Sequence, residues 1–148
     1  MDISFYHLTY QPLSIALPKL LLKVREGDMK AVIKVPSAVH MDDIDQILWS
    51  FDKESFLAHD TEKSKNGEDQ PIFITTGDEN PASAEVLVLT DGATSDLMNG
   101  YSRVVEMFDG NNPTTVTEAR ERWKSYKEAG HSLTYWQQNE NGGWSKKG

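Results

Sequence analysis

The sequence predicts an α/β layered domain built around a mainly parallel sheet. Two observations carry this. Strand-like and helix-like runs alternate along the chain, the pattern of helices crossing over a parallel sheet. One run, Glu85–Leu89, continues without a polar break through its apolar residues, as a strand covered on both faces does.

The elements follow in order. Ile3 to Leu8 is short, apolar and aromatic and reads as a first strand. Apolar residues at 13, 16, 17, 20, 21 and 24 have helical spacing, and Gly27 supplies a stop. Pro18 lies inside that run, so the helix either begins near it or kinks there. Ala31 to Val35 is β-branched, closes at Pro36 and reads as a second strand. Asp42 to Phe51 carries Ile44, Ile47, Leu48 and Phe51 on one face, with acids placed in its first turn. Phe56–Leu57 reads as a short strand and residues 60–70 as an exposed loop. Ile72–Thr75 and Glu85–Leu89 are further strands, with a turn over Gly77–Ala82 and a stop at Asp91–Gly92. Val104–Phe108 is the next strand, closed by Asp109–Gly110. Thr115 to Ala129 is the clearest helix: Thr115 and Glu118 form a capping box, and Gly130 ends it. No periodicity follows Tyr135. We expect one domain over residues 1–148, with 136–148 as a loosely ordered tail.

Composition bounds the chemistry. The 148 residues include no cysteine, which removes disulfides, thiol catalysis and Cys-ligated metals. The charge is −8, a poor balance for gripping a phosphate backbone with the whole surface. No apolar run approaches the ~20 residues of a membrane span. Met1 to Tyr10 lacks the basic and apolar regions of a signal peptide. A soluble cytoplasmic protein is the expectation. The charge is also uneven. Residues 1–118 hold 9 basic and 20 acidic residues, and residues 119–148 hold 6 basic and 3 acidic. Three of four tryptophans, Trp123, Trp136 and Trp144, lie in that second, net basic stretch.

Motifs for nucleotide loops, serine nucleophile elbows and helical zinc sites are absent. His7, His40, His59 and His131 never stand at metal-ligand spacing. We therefore expect no cofactor and no metal. His59 is the best catalytic candidate, since it follows Phe56-Leu57-Ala58 at a predicted strand end. Asp42, Asp43 and Asp45 form an acidic cluster whose simpler role is to stabilise a first helical turn.

The last helix offers a surface. With Val116 at zero and about 100° per residue, Val116, Ala119, Trp123 and Tyr126 form one apolar stripe of about 80°. Lys127, Arg120 and Lys124 then fall at about 20°, 40° and 80°, a basic ridge beside the edge that carries Trp123. Arg120 is suited to hold a carboxylate through two parallel N–H bonds. The edge of Trp123 is suited to wall a pocket for an apolar ring. A C-terminal phenylalanine with its free carboxylate satisfies both. The plainer alternative is that Trp123 is core and the ridge is solvated.

Several stretches together resemble one family. They are Phe5-Tyr6-His7-Leu8, Pro18-x-Leu20-Leu21, Asp45-x-x-Leu48-Trp49, Ser55-Phe56-Leu57-Ala58-His59, Pro71-Ile72-Phe73-Ile74, Val86-Leu87-Val88-Leu89 and Phe108-Asp109-Gly110. The most specific is Ala119-Arg120-Glu121-Arg122-Trp123-Lys124-x-Tyr126-Lys127-x-x-Gly130-His131. In this order the chain resembles the chi subunit of bacterial DNA polymerase III from end to end. The resemblance implies a three-layer, Rossmann-like α/β fold without a working nucleotide loop. It also implies a non-catalytic accessory subunit of the clamp-loader assembly. Its partners would be the acidic, phenylalanine-ended tail of single-stranded DNA-binding protein and the psi subunit or clamp loader, with little direct nucleic acid binding and no membrane. The tail-binding arginine then falls on Arg120 and its aromatic neighbour on Trp123, with Lys124 and Lys127 at basic positions. Two positions depart from the family: Val116 where some members carry lysine, and Asp109 where an apolar residue is usual.

Two other readings stand beside this one. An α/β phosphoesterase would use His59 with the Asp42/Asp43/Asp45 cluster. Direct single-strand binding would use the C-terminal aromatics, against the net acidity of residues 1–118.

Overall fold

A computed structural model describes residues 2–50, 59–61, 71–81, 83–90, 92–95, 98–141 and 143–147. Among these residues eight strands form one sheet: β1 (Asp2–Leu8), β2 (Ala31–Lys34), β3 (His59–Thr61), β4 (Ile72–Thr75), β5 (Val86–Thr90), β6 (Arg103–Asp109), β7 (Ser132–Gln138) and β8 (Trp144–Lys146). Their order is β3-β4-β2-β5-β6-β1-β7-β8. Every pairing is parallel except β7 with β8. The helices are α1 (Leu13–Glu26), α2 (Ala38–Ser50) and α3 (Pro113–Glu128), with a 3-10 turn at Met98–Gly100.

The alternation of side chains across each strand divides the core in two. On β6, Val105 and Met107 join Leu17 and Leu21 of α1 and Ile44 and Leu48 of α2. Val104 and Phe108 of the same strand join Ile3, Phe5 and Ala119 of α3 on the other face. The result is three layers: α1 and α2, the sheet, then α3. The central strands β4 and β5 are buried along their whole length, which explains their unbroken apolar sequence.

Several local expectations change. The first helix starts at Leu13 and runs on through buried Pro18 to Glu26, so it does not begin near that proline. A proline there removes only the bond residue 18 would give to the Ser14 carbonyl, and burial of Leu17 and Leu21 at 0% exposure holds the turn. The second helix begins at Ala38, so Asp42, Asp43 and Asp45 lie past its first turn and do not stabilise its start. The last helix is capped by Asn112, not by a Thr115 box. The Asn112 Oδ1 accepts from the Thr114 and Thr115 backbone N–H at 3.0 and 3.3 Å, and Pro113 takes the first helical position. Gly130 does end it: at φ 90° it turns the chain, while Gly130 N–H and His131 N–H close on the Lys127 and Tyr126 carbonyls. The expected loose tail is instead sheet edge, since residues 136–138 belong to β7 and Trp144–Lys146 form β8. Phe56–Leu57, and most of the loop expected over 60–70, lie outside the described residues; His59–Thr61 form the short strand there.

Candidate functional site

Two neighbouring strands set the place where a site can form. The chain leaves β1 for α1 on one face and leaves β6 for α3 on the other. A crevice opens between two such diverging strands at their C-terminal ends. It measures about 450 Å³ and runs between Leu8 to Leu13, from the end of β1 to the start of α1, and the end of β6 with Asn111 beyond it, Met107, Phe108 and Asp109 being the strand's last residues. In nucleotide-binding relatives of this architecture the first loop's amides hold phosphate. Here they are occupied by the chain itself. The Gln138 side-chain Oε1 accepts from the backbone N–H of Thr9, Tyr10 and Gln11 at 3.3, 2.9 and 2.7 Å. Gln138 is 2% exposed. A neutral amide oxygen thus stands where an anion would, in keeping with the missing glycine-rich motif.

The α3 surface lies beside this crevice. The apolar stripe read from the helical wheel faces the sheet as expected: Ala119 is buried, and Val116, Trp123 and Tyr126 pack against the same core. Trp123 meets Phe5 edge-on at 5.2 Å and Tyr135 at 5.6 Å. Much of its ring is therefore spent on the core, and the residue as a whole is half-buried. Arg120, Lys124 and Lys127 are exposed along the adjoining flank.

Next to Arg120 is a cluster whose parts are remote in sequence. His7 shares a hydrogen bond with the Tyr135 hydroxyl and packs on Phe108 at 5.1 Å. Burial lowers the His7 pKa; the Gly110 backbone bond opposes this, and Arg120 adds to the lowering while Asp109 works against it. Burial raises the Tyr135 pKa, and Arg120 partly offsets that. Arg120 thus lies within electrostatic reach of both rings. Gly110 permits this closeness, because a Cβ there would overlap the His7 ring and approach the Leu8 carbonyl oxygen to 2.6 Å. Of the two departures from the family pattern, Asp109 is exposed and its carboxylate accepts from the Asn111 N–H at 2.9 Å. Val116 packs inward, so it leaves no gap in the exposed basic flank.

Sequence reasoning missed a buried ion pair beneath this helix. Glu106 projects from β6 at 1% exposure, and its carboxylate accepts from Arg122 Nε of α3. Burial pushes the Glu106 carboxyl up to about 7, although the Arg122 charge and hydrogen bond pull it down. The Tyr126 hydroxyl is raised to about 12 by burial first and then by Glu106. The signal available was Glu106, an acid flanked by apolar Val104, Val105, Met107 and Phe108.

The residues of the phosphoesterase reading are only partly assembled. His59 Nε2 lies 3.0 Å from Asp45 Oδ1, which pairs two of the four. His59 is 8% exposed and packs against Trp49 at 4.9 Å, so its ring is enclosed rather than presented. Asp42 and Asp43 face solvent on α2. Among the described residues no group of three His, Asp or Glu side chains is arranged to hold a metal ion. Nor, among them, is any helix long and apolar enough to cross a membrane.

Comparison with known proteins gives a consistent result. The family described as DNA polymerase III chi subunit, HolC, matches residues 1–134. A protein of Rickettsia prowazekii (strain Madrid E) named "Probable DNA polymerase III subunit chi" is 27% identical over 88 residues, which cover 60% of this chain. The match spans about half of that relative's length, 53%.

Proposed function

The chain belongs to the DNA polymerase III chi subunit family, and on that premise we propose that it is a non-catalytic connector of the replicative polymerase. In this reading it holds the acidic, phenylalanine-ended C-terminal tail of single-stranded DNA-binding protein. It then links that tail, through the psi subunit or the clamp loader, to the polymerase. Direct contact with DNA is unnecessary for this role, which suits a chain of charge −8.

The observation that supports the reading is the pairing on α3 of exposed Arg120 with half-buried Trp123. Arg120 takes the terminal carboxylate in a forked, charge-assisted bond worth roughly 1.5–3 kcal/mol. The Trp123 edge, with the neighbouring His7 and Tyr135 rings, shelters the phenylalanine, worth roughly 1.5–3 kcal/mol before ordering costs. Lys124 and Lys127 meet the preceding acids as exposed, screened contacts. Asp109 stands close by and repels acid, so it limits affinity, and because salt screens that repulsion too it partly offsets the salt dependence of the basic contacts.

A calorimetric titration tests this. The ligand is a peptide copying the last ten or so residues of the organism's own single-strand binding protein. Binding should weaken with salt, vanish when the final phenylalanine is removed, and fall at least tenfold in Arg120→Ala. Unchanged affinity in Arg120→Ala refutes the assignment.

A further inference from the structure

A second surface lies on the opposite face of the sheet from α3. On that face α1 packs over β6 and α2 over β3 and β4. Beyond α1 stand Tyr6 of β1, Trp136 of β7 and Trp144 of β8, each part-buried. Tyr6 stacks on Trp136 with centroids 6.4 Å apart, and meets Trp144 edge-on at 4.9 Å. A cavity of about 400 Å³ runs between the Tyr6 and Trp144 rings and α1, walled also by Leu20 and Met107. This volume is near the lower end of the range for ligand pockets, enough for one large apolar side chain.

The rim is cationic. Lys19 and Lys23 line the cavity and are exposed, and Glu26 is the acid on the same rim. Lys19 Nζ also reaches the Gln11 side-chain oxygen at 3.5 Å. Two further cations share the face. Arg103 donates to the Tyr6 hydroxyl at 3.0 Å, and Lys146 stands two residues along β8 from Trp144, hence on the same side. Asp2, in register with Arg103, is the opposing charge there. On a chain of −8, an apolar cavity edged by an excess of cations focuses acidic ligands toward it.

We propose that this groove docks a segment of a protein partner: an acidic peptide anchored by one apolar side chain in the cavity. A polynucleotide fits less well, because it extends its charge over the acidic body while the cavity offers room for one apolar group. The site differs from the α3 surface in face, and it requires no terminal carboxylate, so it stands apart from the reading built on Arg120.

The test uses the full chain, 15N-labelled, and a decapeptide rich in Asp with one central Phe and both ends blocked. The Trp144 indole N–H resonance should shift saturably while that of Trp123 stays in place. Lys19→Glu with Lys23→Glu should weaken binding at least tenfold, and Lys124→Glu with Lys127→Glu should leave it unchanged. All four lysines are exposed, so the variants keep the fold. An unmoved Trp144 resonance, or binding indifferent to the Lys19 and Lys23 changes, overturns the proposal. So does an oligo-dT that shifts Trp144 at lower concentration than the peptide, which would assign the face to nucleic acid.

Discussion

Replacing Arg122 with methionine removes the countercharge of a carboxyl that is almost wholly shielded from water. Glu106 is 1% exposed and titrates near about 7, against an ordinary value of 4.5. A carboxyl raised on folding favours the native state fully below its unfolded pKa. That contribution is lost as pH rises through the folded pKa, here over about 4.5 to 7. Both effects of Arg122 lower the Glu106 pKa, so Arg122→Met raises it further. In the variant, Glu106 stays protonated where the wild type has ionised. Below about pH 7 the stability gap between the two proteins is therefore constant: lost packing plus a lost bond to a neutral acid. Above pH 7 the gap widens by about 1.4 kcal/mol per pH unit until the variant's own pKa is reached. At this chain length that is about 3–6 °C in Tm per unit. Melting curves by circular dichroism at pH 6, 8 and 9 read the trend directly. In a Glu106→Gln background the same Arg122 replacement should cost a pH-independent amount. An equal Tm gap at pH 6 and pH 9 refutes the argument, since it would make Arg122 a packing residue rather than a countercharge.

Gly110→Ala should lower stability by about 2–4 kcal/mol. Its Cβ overlaps His7 and approaches the Leu8 carbonyl, so adding His7→Ala should recover only part of the loss in a denaturant titration. Gln138→Ala removes one acceptor from three backbone N–H groups. It should cost about 1–3 kcal/mol and speed amide hydrogen exchange at Thr9, Tyr10 and Gln11. Asn112→Ala should cost about 1 kcal/mol by urea melt through loss of the α3 cap, while Thr115→Ala should cost clearly less.

What the sequence determined by itself is local. Residue spacing sufficed for β1, β5, β6 and the body of α3, because the period of apolar positions follows from the geometry of each element. It sufficed too for the stripe of Val116, Ala119, Trp123 and Tyr126 and the basic flank of Arg120, Lys124 and Lys127, since helical geometry alone orders them. Helix starts were less legible: Asn112 competed with Thr115 for the same cap, and the start of α2 rested on Ser37 alone, whose Oγ accepts from the His40 N–H at 3.4 Å, ahead of any apolar spacing. Tertiary structure alone decided which distant residues meet. It paired Glu106 with Arg122, His7 with Tyr135, and Gln138 with the loop after β1. It also turned an aperiodic tail into β7 and β8, because a strand inserted beside β1 takes its order from its neighbour's hydrogen bonds rather than from its own pattern. Strand order is set by how separate faces pack against each other across the sheet. No window of consecutive residues contains that information.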